Sequence, residues 1–396
     1  MIGKTIYKYR LILKIVTGLL MAGDTKLTSM ARMKKLTEGE IKNEVKSISR
    51  SINNSSEIEL EEMEEKYLRR QEEIIKKIRK EVLVIIDFSD INKGRGKKFE
   101  KIDEVYDGST GNKISKGYWV ISIIVYYEKR NLYIPLINEV FSLCNSKGSM
   151  KTILYEKLEK VIKVVGKKGI YIFDRGFDDK KLIEYMREKG LKFIIGGFQN
   201  RIIELLEGKK CKIQEYAKKM LKERGGINYY IKSERVGGKI RLEVIVRYEK
   251  IKIKGMKEEV NLIYSYDKIR GTERYFYTNI EIKTEMGALK IIKKYLKRWK
   301  IEEYLQFIKI NFGMEKFRIR KYKSIKLLIF LVMVAFMFLT MLLINQDKQT
   351  LFLLKGISQS ISKKISLYTY AAGIRNLSII IFIYNEFFES YEIFEV

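Results

Sequence analysis

Tyr295, Arg298, Glu302 and Lys309 fall within one short stretch, YLKRWKIEEYLQFIK (295–309). On a helix turning about 100° per residue, Arg298, Glu302 and Lys309 lie at roughly −60°, −20° and −40° from Tyr295. One narrow stripe then carries an aromatic hydroxyl, a guanidinium, a carboxylate and an ammonium, while Glu303, near 80°, leaves it. Taken alone, a solvated helix face with ordinary charge pairs would account for the stripe. Two more carboxylates change its weight. Asp87 closes the β-branched run EVLVIIDFSDINK (81–93), and Asp174 closes the run in GIYIFDRGFDD (169–179). Two strands of buried type and a helix thus deliver Asp, Asp and Glu. Such a trio suits two divalent ions, Mg2+ or Mn2+, about 3.5–4 Å apart, for phosphoryl transfer. One ion activates water or a 3′-hydroxyl and the other stabilises the leaving oxygen. Asp90 is the alternative ligand in the first motif, and Lys93 reads as a solvated lysine or a phosphate contact.

Composition narrows the chemistry further. The chain has no histidine, which removes Ser-His-Asp and Cys-His catalysis and most transition-metal sites. Cys144 and Cys211 are too few for a disulfide framework or a four-ligand zinc site, and a reducing cytoplasm fits them. Lys and Arg number 79 against 49 Asp and Glu, a net charge of +30 that calls for a polyanion. Richness in Lys, Ile, Tyr and Asn resembles the coding bias of an AT-rich genome. That bias would raise Glu as well, so the imbalance still points to nucleic acid.

The elements that must position these residues follow from periodicity. Residues 1–80 read as helical, with Gly23-Asp24 as a turn and a polar loop at 53–56, and suit a small DNA-binding domain. The segment EIELEEMEEKYLRRQEEIIKKIRK reads as a solvated connector helix. Strands follow at 81–93 and on either side of Glu128–Asn131. A helix over 151–165, the strand ending at Asp174, a helix with a Gly stop and the strand LKFIIGG complete a first α/β part, 81–204. Residues 205–280 are strand-rich, and helix returns from about 285. The apolar run Leu327–Ile344 is long enough to cross a bilayer or to serve as a core helix. The N-terminal stretch TIYKYRLILKIVTGLLMAGD has no cleavage-site pattern and repeats its apolar positions at helical spacing.

The spacing Y-x2-R-x3-E-x6-K of Tyr295, Arg298, Glu302 and Lys309, within RWKIEEY, resembles the signature of the YREK group of DDE transposases from bacterial insertion sequences. Asp87 in IDFSDINK, Asp107 in DGSTG, Gly117-Tyr118, Asp174 in DRGFD, FQNR (198–201) and YTN (277–279) are similar to its other blocks. The resemblance spans about residues 10–340. It implies an α/β fold with a ribonuclease-H-like core (81–204 and 281–345), interrupted by a β-rich insertion (205–280) and flanked by helical N- and C-terminal regions. It implies cut-and-paste movement, with nicking at element ends and transfer of 3′-hydroxyls into double-stranded target DNA. Asp87, Asp174 and Glu302 match the metal-binding triad, and Tyr295, Arg298 and Lys309 match phosphate-contacting positions. Trp299 is similar to a tryptophan beside the terminal bases, with a core tryptophan as the alternative. KFRIRKYKSIK (316–326), with Phe317 and Tyr322 interleaved, suits DNA backbone contact. The resemblance favours a core helix for 327–344, and by analogy a homodimer with residues 346–396 contributing. An inactive DNA-binding relative and a membrane-anchored basic protein are the competing expectations.

Overall fold

The computed structural model describes residues 2–33, 37–94, 96, 98–107, 113–144, 149–205, 208–224, 227–235, 238–345, 348–358 and 366–377. Residues 108–111 of the DGSTG block and 378–396 of the C-terminal region lie outside them.

The chain opens with α1 (Ile2–Ala22), α2 (Leu27–Arg32), α3 (Glu38–Asn54) and α4 (Glu57–Lys76). Gly23, at φ +60°, ends α1 where a side chain would be strained. Thr37 with Glu40 and Ser56 with Glu59 form capping boxes that start α3 and α4. The connector expected at α4 is instead docked along one side. Leu60, Leu68, Gln71 and Ile75 are buried, and the Tyr67 hydroxyl donates to the Pro135 carbonyl at 2.6 Å. Its apolar positions recur at helical spacing, but the dense charge of the other face hides them in the sequence.

Among the described residues one twelve-stranded sheet forms the scaffold. Its first part holds β1 (Val82–Asn92), β2 (Asp103–Asp107), β3 (Lys113–Tyr127), β4 (Leu132–Phe141), β5 (Gly169–Phe173) and β6 (Lys192–Gly197). β1 lies between antiparallel β3 and parallel β5, and β6 extends β5 in parallel. Helices α5 (Met150–Val165) and α6 (Lys180–Glu188) make the long connections that parallel strands require. The strand-rich stretch contributes β7 (Ile202–Glu204), β8 (Lys210–Lys212), β9 (Ile227–Arg235), β10 (Gly238–Ile253), β11 (Glu259–Asp267) and β12 (Thr272–Thr278). These strands continue the same sheet, because β12 pairs with β6. A helix, α7 (Ile213–Arg224), interrupts them; it is announced by Ile213, Ala217 and Met220, all buried at helical spacing.

The C-terminal part contains α8 (Glu285–Leu296), α9 (Trp299–Asn311), α10 (Tyr322–Asn345), α11 (Lys348–Ile357) and a helix over 367–377. Strand alternation divides the core in two. Leu83, Ile85 and Ile91 of β1 pack on the side of α9 and α10, whereas Val82, Val84 and Ile86 face α5 and α6. Among the described residues α10 is the one helix long and apolar enough to cross a membrane, and 67% of its apolar window is buried inside the chain. It packs on β4 and against α1, α3, α4 and α9. On its flank Glu139 of β4 meets Lys157 of α5 at 2.5 Å and Lys326 of α10 at 2.9 Å. Burial pushes the Glu139 carboxyl up, but the two ammonium groups outweigh it and hold it below the usual range.

Candidate active site

The strand carrying Asp87 does not end there. β1 continues to Asn92, with Asp87 opposite Ser122 of β3, so this carboxylate sits within the sheet. Alternation turns it towards α9, on the side of Ile85, and places Asp90 on the opposite side. Asp174 directly follows β5 and caps the short turn 175–177, accepting the Arg175 N–H at 2.6 Å. The helix expected over 295–309 is two helices. α8 ends at Leu296 and α9 begins at Trp299, with Lys297 and Arg298 in a turn between them. Both turn residues keep right-handed helical backbone, so Tyr295, Arg298 and Glu302 still share a face.

At the centre is Arg298. Its guanidinium lies 2.8 Å from Glu302, 3.3 Å from Asp87 and 3.8 Å from Asp174. The Tyr295 hydroxyl donates to Asp174 at 3.3 Å. Residues from β1, the end of β5, α8 and α9 therefore converge on one cation. Burial is the largest influence on Asp87 and lifts its pKa to about 7; Asp174 and Glu302 add to the rise, and Arg298 opposes it. Burial works against the charge on Arg298, but Asp174, Asp87 and Glu302 outweigh it and raise its pKa. Burial, with the Asp174 charge, also raises the Tyr295 hydroxyl. The cluster is thus a set of three like charges, with Asp87 the desolvated one, held by one counter-charge.

The remaining expected residues divide. Lys309 is on α9, but its ammonium reaches the Asp90 carbonyl (3.0 Å) and Glu315 (2.8 Å) instead of the three carboxylates. Trp299 lines a cleft of about 280 Å3 beside the cluster, with Asp174, Arg175, Arg274, Tyr295 and Arg298. Its Nε1–H is buried and has no hydrogen-bond partner among the described residues. Glu303 turns away to Tyr133 and Lys300. Lys93 is neither solvated nor aimed at the cleft. It donates to the Phe317 carbonyl at 2.9 Å and to that of Glu315, and sits 3.7 Å from the Phe317 ring centre. Burial lowers its pKa to about 8, against the pull of Glu315.

Several motif blocks prove to be structural. The YTN block stitches β12 to β6: Thr278 donates to the Phe193 carbonyl at 2.6 Å, and Asn279 brackets Phe193 and Leu191. Gly117 lets β3 close on β1, since a Cβ there would sit 2.2 Å from the Ile91 carbonyl oxygen. The basic stretch after α9 is irregular over 316–321 and helical from Tyr322, the start of α10. Lys316, Arg318, Arg320 and Lys321 are exposed, but Phe317 is buried against Phe99, so that aromatic is core and not a stacking platform. Arg175, Gln199 and Arg274 line the cleft although they were not among the expected contacts. Arg175 adjoins Asp174 in DRGF and Gln199 lies in FQNR, so both belong to motif blocks of the sequence; Arg274 has no local signal.

Asp87, Asp174 and Glu302 offer only carboxylate oxygens, the donor type that hard divalent cations take. Their attraction to a single guanidinium shows that together they accommodate positive charge. Among the described residues no three acidic side chains already stand close enough to hold one ion, because Arg298 lies between them. No curated protein matches the chain. A family model described as a transposase DDE domain matches residues 78–338, a span that contains all three carboxylates.

Proposed function

The chain belongs to the DDE-domain transposases, and from that premise we propose that it is an insertion-sequence transposase of the YREK type, with Asp87, Asp174 and Glu302 as its metal-binding triad. The observation that carries this reading is the convergence of the three carboxylates on Arg298 from distant parts of the matched span. The strand order β4–β3–β1–β5–β6, in which only β3 runs against the others, supports a ribonuclease-H-like core. The site suits two Mg2+ or Mn2+ ions, which in such enzymes activate the attacking oxygen and stabilise the leaving one.

The protein's own groups bind and orient the DNA. Arg298 and Tyr295 take phosphates near the cleaved end, and Lys309 borders the site from the Asp90 side. Trp299 lines the cleft beside the cluster, which fits stacking on a terminal base drawn out of the duplex. The overall charge of +30 brings duplex DNA to this surface, as element ends and as target. Synapsis of two ends calls for a homodimer, and the enzyme acts in the cytoplasm on the nucleoid. The test is cleavage of DNA carrying the inverted repeats that bracket its gene, in Mg2+. Glu302→Gln is expected to bind these ends and leave them uncut. Cleavage by that variant at the wild-type rate would remove Glu302 from the triad.

A further inference from the structure

We propose that Arg175 is a further phosphate-contacting residue of this site, held in place by Phe198; the proposal rests on the reading of the chain as a DNA-acting transposase. Three arginines of the region are treated differently by the fold. Arg298 is shared by three carboxylates, and Arg201 is locked to Asp178. The Arg175 guanidinium is exposed and lines the cleft next to Asp174, yet among the described residues no carboxylate lies within ion-pairing reach of it.

Its one described side-chain contact is the ring of Phe198, whose centre lies 5.5 Å from the guanidinium carbon. Phe198 is itself 46% exposed, so its place beside Arg175 is not explained by core packing. Its backbone, however, is fixed. The Phe198 N–H donates at 2.8 Å to Asp178, whose side chain has no exposed surface. Arg201 fills the rest of that carboxylate through Nε at 3.0 Å and also reaches the Asp178 carbonyl at 2.6 Å. The backbone of Arg175 is fixed as well, by its N–H on Asp174 and by the close approach of Gly196. A Cβ at Gly196 would lie 2.9 Å from the Arg175 nitrogen.

A flexible cation laid on an aromatic ring loses little rotamer entropy when an anion arrives. With no carboxylate partner among the described residues, its charge is available to an anion. A phosphodiester next to the one at the triad is the anion that a DNA strand would bring there.

Salt-dependent binding of a mixed-sequence duplex by the full chain tests this, with melting temperature as the folding control. Arg175→Ala is expected to lower the slope of log affinity against log salt by about one and to weaken binding about tenfold, with an unchanged melting temperature. Arg175→Lys keeps the slope. Phe198→Ala weakens binding in the wild-type background and adds nothing to Arg175→Ala, a coupling that a merely structural role would not give. An Arg175→Ala protein with wild-type slope and affinity overturns the proposal, and additive effects of the two substitutions overturn the part played by Phe198. A wild-type chain that binds no duplex overturns the transposase reading, and this inference with it.

Discussion

Replacing Asp87 by asparagine is expected to stabilise the metal-free protein at about pH 8 while abolishing DNA cleavage. Burial foremost, then the neighbouring Asp174 and Glu302, lift the Asp87 pKa from 3.8 to about 7 even with Arg298 beside it. The folded chain therefore holds this proton more tightly than the unfolded chain does. The stability linked to it is fully present below pH 3.8 and is lost as pH climbs through about 7. That interval corresponds to about 4 kcal/mol, at ~1.4 kcal/mol for each pH unit. An amide has no charge to desolvate, and it leaves Arg298 its contacts with Asp174 and Glu302. Urea unfolding in excess chelator, at about pH 5 and about pH 8, measures the difference. Between pH 5 and pH 8 only the upper two units of that interval are crossed, so wild type loses about 2.7 kcal/mol relative to Asp87→Asn, and the variant is the more stable of the pair at the higher pH. Parallel pH dependence of the two proteins would refute the reasoning. The gain would show a site held at the expense of stability, as functional sites commonly are.

Arg298→Ala removes the shared counter-charge and is expected to cost about 3 kcal/mol in chelator at pH 8 but less at pH 5, where Asp87 is protonated; an equal loss at both would argue against the shared cation. Glu139→Gln takes the carboxylate from Lys326 and leaves Lys157 only Glu156, and a loss of about 3 kcal/mol in urea unfolding is expected. Leu331→Ala, at a fully buried position of α10, is expected to cost about 2–5 kcal/mol. Fractionation without detergent checks the same helix: the chain is expected in the supernatant, and co-sedimentation with membranes would contradict a buried α10.

The elements that the sequence displays openly are the continuous apolar runs, buried on both faces, and the helices with one apolar face. β1, β5, β6 and α5 were legible because β-branched runs and capping signals mark them directly. Asp87 and Glu302 were legible as facing residues, since odd positions of β1 and one stripe of α9 point to the same layer. What escaped were long-range pairings. Nothing local in LKFIIGG says that it hydrogen-bonds to YFYTN, the contact that joins the strand-rich stretch to the first sheet part. Lys93 was misjudged for the same reason: the carbonyls that hold it come from residues more than two hundred positions away. The break at Lys297-Arg298 carries neither Gly nor Pro, so local propensity gave no warning of it.

The position of α10 also imposes a timetable on synthesis. Ile15 and Leu19 of α1 and Ile48 and Ile52 of α3 share a core with Leu328, Leu331 and Val332. At about 5–20 residues per second, the N-terminal helices emerge roughly 15–60 s before α10 is finished. Throughout that interval the helices have one another, but the parts of their apolar faces that meet α10 lack their native partner and are open to chaperones and proteases. A nascent chain released before α10 therefore lacks the centre of its core, and only polypeptides translated through that helix can mature into a lasting enzyme.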